Sequence, residues 1–566
     1  MDADVIIIGA GPAGLSAAMD LDSRGVRSIV VEQRPFLQPP SVKSNHVSAR
    51  TMESFRRLGV AQKVRDAGLP PDYPNDVAFR TTMAGEELAR IHIPCRQDRY
   101  TSKRGPDTGW ETPEPAHRIN QTFLEPVLAE HVAALPLVRL LNETTFERFE
   151  QDAYGVSAFV TDNNSGAGSV LRARFIVGAD GGSSKVRKQI GAVFEGDPVL
   201  QNVQSTLISA PGLYEAMPGE KAWCYYTYNP RRNGHVYAID GKELFLVHNH
   251  LSENESAAGG VNREESILHI LGVQEGFPFE ILSKEDWTAR RLVATRFRDR
   301  RAFICGDAAH LWVPYAGYGM NAGIADALNL TWVLSAYLQG WGDEEILGAY
   351  EAERMPITNQ VSKLAMAHQQ ATAKSVVPEE IEEDSPRGQE ARERLGREAY
   401  TFNVRQFAAA GVNFGYVYEA SPIIGYDGEP APGYTLGEFT PSTAPGCRAP
   451  HFWLSPELSI YDELGSGYTL LRTSKVAPVD ALIQAAAHAN LPLKVVDVPQ
   501  GLAPESYRHA LIIVRGDQHV AWRGDAVPTA PHELVELLRG AAVPRAKTQV
   551  PDLALATAAA ELPAGE

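Results

Sequence analysis

The first 34 residues hold the pattern that most limits how this chain can fold. Residues 4–8 form a short apolar run typical of a buried strand, residues 12–24 place apolar side chains at helical spacing, and residues 28–32 are strand-like again. A glycine-rich turn, Gly9-Ala10-Gly11-Pro12-Ala13-Gly14, separates the first strand from the helix. This order predicts a right-handed βαβ unit, the arrangement that binds dinucleotides.

The spacing of the three glycines in this turn suits a nucleotide. Gly9 permits a tight strand-to-helix turn, Gly11 lets the backbone approach a pyrophosphate, and Gly14 allows close packing of the helix. Pro12 and Ala13 open the helix, whose amino-terminal end then faces the phosphates. We therefore assign all five residues to a cofactor site.

Polar residues close the second strand of this unit. Glu32 lies 18 residues past Gly14, where a carboxylate can accept hydrogen bonds from a ribose diol. Gln33 and Arg34 follow, and we assign both to the same site, with Arg34 toward the adenosine end. Other glycine-rich turns in α/β proteins match the motif too, and alone it does not separate FAD from NAD.

Composition excludes several other classes of protein. The chain has 566 residues, 44% of them apolar. We expect three or four domains, because a chain of this length is too long to fold around a single hydrophobic core. A formal net charge of −17 argues against partners such as nucleic acid or an anionic membrane. No apolar stretch approaches the roughly 20 residues of a membrane span, and the acidic amino terminus is unlike a signal peptide. Four scattered cysteines without a Cys-x-x-Cys pair predict no metal site and favour a reducing, cytoplasmic location.

Two more motifs of glycine and aspartate lie far along the chain. One is Gly178-Ala179-Asp180-Gly181, and the other begins at Gly306-Asp307-Ala308-Ala309-His310 and continues through Pro314, Gly317 and Gly319-Met320-Asn321. Together with the first turn, they resemble the three flavin-contacting signatures of the class A FAD-dependent aromatic hydroxylases, flavoprotein monooxygenases, and in particular their phenol hydroxylase-like branch. The resemblance spans nearly the whole chain and implies an α/β (α+β) fold with a Rossmann-like FAD-binding domain.

The same resemblance implies roles for individual residues. Asp307, after Gly306, would hydrogen-bond the ribityl hydroxyls of FAD. Gly319, Met320 and Asn321 would begin a helix whose positive end faces the flavin, with Pro314 and Gly317 in the same signature. Asp180 would serve both FAD and a passing nicotinamide cofactor, and Gln121 would touch the flavin. Arg118, in the same segment as Gln121, is assigned to the cofactor site as well.

The chain also departs from the family pattern. Val313, Ala316 and Tyr318 stand where relatives commonly have proline, glycine and glutamine, and Lys43 stands where arginine is common. The ring of Tyr318 either lies beside the flavin and alters its mobility or packs in the protein interior.

The reaction follows from the resemblance. A single-component monooxygenase of this family transfers hydride from NADH or NADPH to bound FAD, forms a C4a-hydroperoxide with O2, and hydroxylates a phenolic or polycyclic aromatic substrate. Only one dinucleotide fingerprint is present, so NAD(P)H would bind transiently. Epoxidation or Baeyer-Villiger oxygen insertion on the same fold remains an alternative, as does a non-catalytic FAD-fold escort or sensor protein.

Two residues are candidates for catalysis. His46 lies in a segment that borders the flavin and contributes a substrate-deprotonating residue in related phenol hydroxylases, and an unperturbed imidazole pKa of about 6.5 suits that task. The alternative is that His46 caps the helix that follows. Tyr226 is the second candidate, chosen among aromatic and histidine residues that strands could present to a planar substrate: Trp223, Tyr225, Tyr228, His235 and His248.

The resemblance and the patterns along the chain predict the domain order. Residues 1–70, 118–190 and 292–400 would form the FAD-binding domain, and residues 71–117 and 191–291 an interleaved β-sheet substrate domain. Residues 378–396 read as a solvated helix and loop, and residues 401–430 as a linker or helical region. Residues 431–545 resemble the thioredoxin-like tail of the branch, without the cysteine pair of a redox enzyme, and would cover the catalytic region or support a homodimer. Residues 546–566 read as a disordered tail.

Overall fold

The computed structural model describes residues 1–38, 40, 42–252, 255, 260–312, 317–372, 376–475 and 477–541. Pro314, Val313 and Ala316 of the flavin signature lie outside the described residues, and so does the tail 546–566. All four cysteines are described, and each is a free thiol.

The amino-terminal part contains the predicted βαβ unit. Its elements in chain order are β1 (Val5–Ile8), α1 (Pro12–Ser23), β2 (Ser28–Val31), α2 (Ala49–Arg57), α3 (Ala61–Asp66), β3 (Val77–Arg80), β4 (Glu87–Ile91) and α4 (Gln121–Ala133). The two strands and the helix predicted from the first 34 residues are confirmed to within one residue at each end.

A set of strands then leads to the second glycine motif. They are β5 (Val138–Leu141), β6 (Thr144–Gln151), β7 (Val156–Asp162), β8 (Gly168–Ala173) and β9 (Phe175–Gly178), with α5 (Lys185–Gln189) after them. Residues 172–177 do not form one continuous strand, because the chain changes sheets at Arg174. The Arg174 N–H donates to the Asp4 carbonyl and steers β9 against β1, whereas β8 pairs with β7.

The middle of the chain is mostly sheet. Its elements are β10 (Phe194–Ser209), α6 (Leu213–Ala216), β11 (Cys224–Thr227), β12 (Gly234–Ala238), β13 (Leu244–His250), α7 (Arg263–Leu271), β14 (Glu280–Lys284), β15 (Trp287–Ala294), β16 (Arg298–Asp299), β17 (Ala302–Ile304) and β18 (His310–Leu311). Strand β17 leads into the third glycine motif.

Helices dominate the next part and a small α/β unit ends the described chain. The elements are α8 (Tyr318–Leu338), α9 (Ala349–Thr372), α10 (Pro386–Phe407), α11 (Ala410–Phe414), β19 (Trp453–Ser455), β20 (Leu458–Ser459), β21 (Tyr468–Arg472), α12 (Asp480–His488), β22 (Leu493–Asp497), β23 (Leu511–Arg515), β24 (Val520–Gly524) and α13 (Pro531–Leu538). Helix α10 runs past the expected boundary at residue 400.

One six-stranded sheet brings the three glycine motifs together. Its order is β16-β17-β9-β1-β2-β5, and β1, β2, β5, β9 and β17 are parallel. Ile8 pairs with Gly178, and Gly178 pairs with Ile304, so β1, β9 and β17 end at the same edge. Ligands of open α/β sheets bind at the carboxyl ends of the strands. This edge is therefore the expected position of the cofactor.

A nine-stranded sheet stands beside it. Its order is β18-β15-β10-β13-β12-β11-β3-β4, with β14 paired to β10. One face packs on α7 through apolar residues such as Val236, Val247 and Ile270, while the alternate residues point the other way. The sheet therefore has one core face and one face left for a ligand.

The last unit is a four-stranded sheet of order β22-β21-β23-β24. Strand β21 is parallel to β22 and antiparallel to β23, and α12 and α13 pack together on it. Strands β21, β22 and β23 each coincide with a short apolar run of the sequence. The likeness to thioredoxin stays a prediction.

Candidate active site

A single cavity of about 1240 Å³ joins the carboxyl edge of the six-stranded sheet to the open face of the nine-stranded sheet. Its volume exceeds the roughly 300–1,000 Å³ that is usual for one small ligand. The lining residues come from all three glycine motifs at one end and from β10 to β15 at the other. The cavity therefore has room for a cofactor and a substrate side by side.

The first glycine turn forms the floor of the cofactor end. Gly9 has φ of 102°, and a Cβ there would lie 2.4 Å from the Ala179 carbonyl oxygen. A Cβ on Gly14 would meet the Gly9 carbonyl oxygen at 2.0 Å, whereas a Cβ on Gly11 would meet no protein atom within 4 Å. Gly11, Pro12 and Ala13 line the cavity. Two of the glycines thus permit packing, and Gly11 leaves the space open that a pyrophosphate needs.

Glu32 is held at the end of β2 by a fixed set of donors. Its carboxylate accepts hydrogen bonds from the Ala10 N–H at 2.8 Å and from the N–H and side chain of Arg34. Burial raises the pKa of Glu32, but the hydrogen bonds from Arg34 and Ala10 outweigh it and lower the pKa overall. Glu32, Gln33 and Arg34 all line the cavity. The carboxylate is therefore ionised and oriented to accept further hydrogen bonds.

Arg34 connects this end of the cavity to helix α4. It donates to Glu125 at 3.1 Å, and Gln121 Nε2 donates to the same carboxylate at 2.6 Å. The Ser44 N–H in turn donates to Gln121 Oε1 at 3.4 Å. Gln121 is thus part of the cavity wall, in contact with the loop that carries His46.

The two aspartates of the later motifs differ in their surroundings. Asp180 accepts hydrogen bonds from Ser184 Oγ and from the N–H groups of Lys185 and Val186, and burial raises its pKa. Asp307 follows Gly306, lines the cavity and makes no side-chain hydrogen bond within the described part of the chain. Asp307 is therefore the carboxylate that is open to ligand hydroxyls.

Helix α8 begins at the cavity wall. Gly317 caps it with φ of 64°, and a Cβ on Gly317 would lie 3.1 Å from His46 Nδ1. Gly319 and Met320 line the cavity. The Asn321 side chain points elsewhere: its Nδ2 donates to the His46 and Gly317 carbonyls, and its Oδ1 accepts from the Ser48 N–H. Asn321 thus fixes the 44–48 loop to α8 and is not among the residues that line the cavity.

The structure decides two questions that the sequence left open: which residue caps α2, and where the ring of Tyr318 lies. The residue that caps α2 is Ser48, which accepts from the Thr51 N–H, and not His46. His46 is buried and lines the cavity. Tyr318 packs with Ile357, Val361 and Tyr416 and is absent from the cavity lining, so its ring fills the interior.

The other end of the cavity is a wall of aromatic and histidine side chains. Tyr226 and His235 lie ring to ring with centroids 3.7 Å apart, as expected for strand neighbours. Helix α10 closes this end with Gln406, which donates to the Tyr226 hydroxyl at 3.2 Å, and with Phe407. Tyr225 points to the opposite face and packs in the core.

Several lining residues were not predicted. Gln201, His250, Trp287, Gln406 and Phe407 all face the cavity. The signals were present for two of them: His250 is two residues from His248 on one strand, and Gln406 ends a buried stripe at helical spacing along α10. Gln201 and Trp287 come from strands whose pairing the sequence does not specify.

Arg118 lies between the two ends of the cavity. Its guanidinium stacks over the Trp223 ring at 4.5 Å and donates to the Phe407 carbonyl at 3.3 Å. No carboxylate among the described residues forms an ion pair with it. Burial lowers the pKa of Arg118 to about 10, so it remains a cation at pH 7.

The residues present fit FAD. The open space at Gly11, the oriented carboxylate of Glu32 and the unpartnered carboxylate of Asp307 suit a pyrophosphate, a ribose and a ribityl chain, respectively. Among the described residues, no group of three His, Cys, Asp or Glu side chains could hold a metal ion. Nor does any described helix have the length and apolar character to cross a membrane.

Fold and site together define a flavin-binding α/β protein with a second, nine-stranded sheet beside the flavin-binding one. Residues 2–365 match the family of FAD binding domains, and residues 442–542 match the carboxyl-terminal domain of aromatic-ring hydroxylases. The chain belongs to the FAD-dependent aromatic-ring hydroxylases, monooxygenases that use FAD, NAD(P)H and O2.

Individual relatives agree with this family. Phenol 2-monooxygenase of a Pseudomonas species is 28% identical to this chain over 591 residues, covering 96% of this chain and 93% of that protein.

 The solved structure of RebC soaked with chromopyrrolic acid, with bound 7-carboxy-K252c, is 34% identical with a TM-score of 0.86 and covers 95% of this chain and 99% of RebC. A ternary complex of aklavinone-11 hydroxylase with FAD and aklavinone is 27% identical with a TM-score of 0.78, covering 95% of this chain and 99% of the other.

Proposed function

We propose that this enzyme hydroxylates a phenolic or polycyclic aromatic substrate held in the histidine-lined end of the cavity. The observation that carries the proposal is the continuity of one cavity of about 1240 Å³ from the glycine turn to the face of the nine-stranded sheet. Bound FAD supplies hydride acceptance from NAD(P)H and activation of O2. Relatives named for phenol and for aklavinone support an aromatic substrate.

Within this proposal, Arg118 favours the ionised form of the substrate. A phenol has a pKa near 10, so its ionisation at pH 7 costs about 4 kcal/mol. A unit charge at about 4 Å supplies roughly 4 kcal/mol at an effective dielectric constant of 20. The buried cation of Arg118, with which no carboxylate among the described residues forms an ion pair, therefore offsets this cost at that distance, and an ionised ring is the better nucleophile.

His46 is the proposed proton acceptor. It lies beside Gly317 at the start of α8, and Asn321 holds its carbonyl, so the loop around it is fixed. Proton transfer by a positioned histidine typically contributes 10²- to 10⁴-fold to a rate. Replacing His46 with Ala and finding unchanged hydroxylation across pH would remove this assignment. Tyr226, bonded to Gln406, is proposed to position the substrate.

The remaining proposals concern the FAD-binding residues, the domain boundaries, the cellular location and the oligomeric state. The glycine turn, Glu32, Gln33, Arg34, Gln121, Asp180 and the 306–321 signature would bind FAD. Residues 1–70, 118–190 and 292–400 would form the FAD-binding domain, residues 71–117 and 191–291 the substrate domain, and residues 431–545 a thioredoxin-like domain. We also propose that the protein is cytoplasmic and forms a homodimer.

The test is a panel of phenols and hydroxyanthraquinones offered to the FAD-loaded protein with NADH or NADPH. We expect oxidation of the nicotinamide coupled to a product that carries one oxygen atom from labelled O2. Hydrogen peroxide is measured in parallel to expose uncoupled turnover. A product with oxygen inserted into a ring, or added across a double bond, would show Baeyer-Villiger oxidation or epoxidation instead of hydroxylation. If the protein oxidises neither NADH nor NADPH with any of the aromatics, the proposal is overturned.

A further inference from the structure

A row of polar side chains crosses four neighbouring strands at the substrate end of the cavity. Tyr226 pairs with His235, His235 pairs with His248, and His248 pairs with Ser205. Residues directly opposite in a sheet share a face. All four line the cavity, so together they form one wall, here called the histidine wall, with His250 beside them.

Hydrogen bonds determine which nitrogen of each imidazole carries the proton. His250 Nδ1 lies 3.3 Å from Gln201 Oε1, and a carbonyl oxygen only accepts, so His250 Nδ1 is the donor. Burial lowers the pKa of His250 to about 4, so at pH 7 its Nε2 has no proton and must accept. His235 Nδ1 lies 3.2 Å from that nitrogen and is therefore the donor.

This chain of bonds leaves His235 Nε2 as an acceptor. Burial lowers the pKa of His235 well below its usual range, so the ring is neutral at pH 7. Within the described residues, no side chain donates to His235 Nε2. The open lone pair belongs to a ring that lines the cavity and is held in place by Tyr226 and His250.

We propose that His235 Nε2 accepts a hydrogen bond from a substrate hydroxyl that keeps its proton, and so selects aromatic substrates with a second hydroxyl group. This inference rests on the proposed function. The hydroxyl that Arg118 would hold ionised cannot donate, so the donor to His235 is another group on the same substrate. An aromatic without such a donor leaves a buried acceptor unpaired and binds more weakly.

The test compares 2,6-dihydroxyanthraquinone with its monomethyl ether, which lacks one donor. Each is titrated into FAD-loaded protein, and binding is followed by the flavin absorbance. We expect the wild-type protein to bind the diol about tenfold more tightly than the ether, as loss of one buried hydrogen bond predicts. His235→Phe should remove the preference by weakening the diol alone, and His235→Gln, which keeps an acceptor, should restore part of it.

His269→Phe is the matched control, since it makes the same replacement on α7, away from the cavity lining. It should keep the full preference. A preference that survives in His235→Phe, or is absent from the wild-type protein, overturns the inference and leaves the hydroxylase function intact. Failure to bind either compound overturns it as well, and NAD(P)H oxidation with simple phenols then decides the proposed function separately.

Discussion

Glu353 on α9 accepts hydrogen bonds from both Nη atoms of Arg515 on β23, at 2.5 and 3.0 Å, and solvent reaches neither side chain. Burial lowers the pKa of Arg515, but Asp517 and Glu353 outweigh it and raise the pKa well above its usual range. The pair joins the last α/β unit to the helices of the FAD-binding part. A second buried pair, Arg448 with Glu53, crosses the same boundary.

Arg515→Met should therefore destabilise the whole chain. The substitution leaves Glu353 buried without its cation, and breaking a buried pair in this way typically costs about 3–5 kcal/mol. The measurement is urea unfolding of the FAD-loaded protein. Arg472→Met, which removes the partly exposed partner of Asp497 in the same unit, is the control and should stay close to wild type. Equal stability of the two variants would contradict this role for Arg515.

Gly11→Ala and Gly14→Ala should fail in different ways. Gly11 has φ of −75° and open space around its missing Cβ, so alanine fits the apoprotein and intrudes only on the cofactor. We expect unchanged apoprotein unfolding and an FAD dissociation constant raised about tenfold or more. Gly14→Ala places a methyl group 2.0 Å from the Gly9 carbonyl oxygen and should cost about 1–3 kcal/mol in the apoprotein. If both variants bind FAD as tightly as the wild-type protein does, the cofactor binds elsewhere.

Acid should destabilise this protein from about pH 6.5 downward. Burial lowers the pKa of His117, His248 and His451 to about 3 and of His250 and His368 to about 4. The unfolded chain takes up protons near pH 6.5 while the folded chain does not, so stability is full above that pH and is lost as the pH falls toward 4. Each such side chain contributes a slope of about 1.4 kcal/mol per pH unit.

The measurement is the midpoint of urea unfolding at pH 7.5, 6.5, 5.5 and 5.0. His117→Leu should have a shallower dependence than wild type, whatever its effect at pH 7.5, because it removes one of these protonation sites. If the midpoint stays constant or rises as the pH is lowered from 6.5 to 5.0, the histidines are protonated in the folded protein.

Arg118→Met should change the pH dependence of hydroxylation. Without the cation, the substrate phenol ionises only near its own pKa of about 10, so we expect kcat at pH 7 to fall by about 10²-fold or more and to rise with pH. Arg118→Lys keeps the charge and should recover part of the rate. Steady-state rates from pH 6 to 10 provide the readout, and a parallel loss at every pH would indicate a structural role instead.

Much of the cofactor end was predictable because its residues carry local constraints. Gly9, Gly11 and Gly14 are required by the geometry of one turn, and Glu32 follows from the length of one βαβ unit. The strands near residues 468 and 510 were predictable for a similar reason, since short apolar runs between turn residues indicate buried strands.

The substrate end was predictable only in part, because its geometry depends on long-range pairing. Tyr226 and His235 could be proposed as lining residues, but the register that aligns them with His248 and Ser205 is a property of the assembled sheet. Helix α10 illustrates the same limit. Its charged outer face resembles a solvated segment, while Gly396 lets the helix approach the Leu88 carbonyl and carries Gln406 to the cavity.

The most direct measurement is the identity and amount of flavin released from the protein. Purified protein is incubated with FAD, desalted and denatured, and the released cofactor is separated by chromatography. We expect close to one FAD per chain from the wild-type protein and a much lower ratio from Gly11→Ala. Wild-type protein that retains no FAD after reconstitution, or a Gly11→Ala variant that retains as much as wild type, would contradict binding at the first glycine turn.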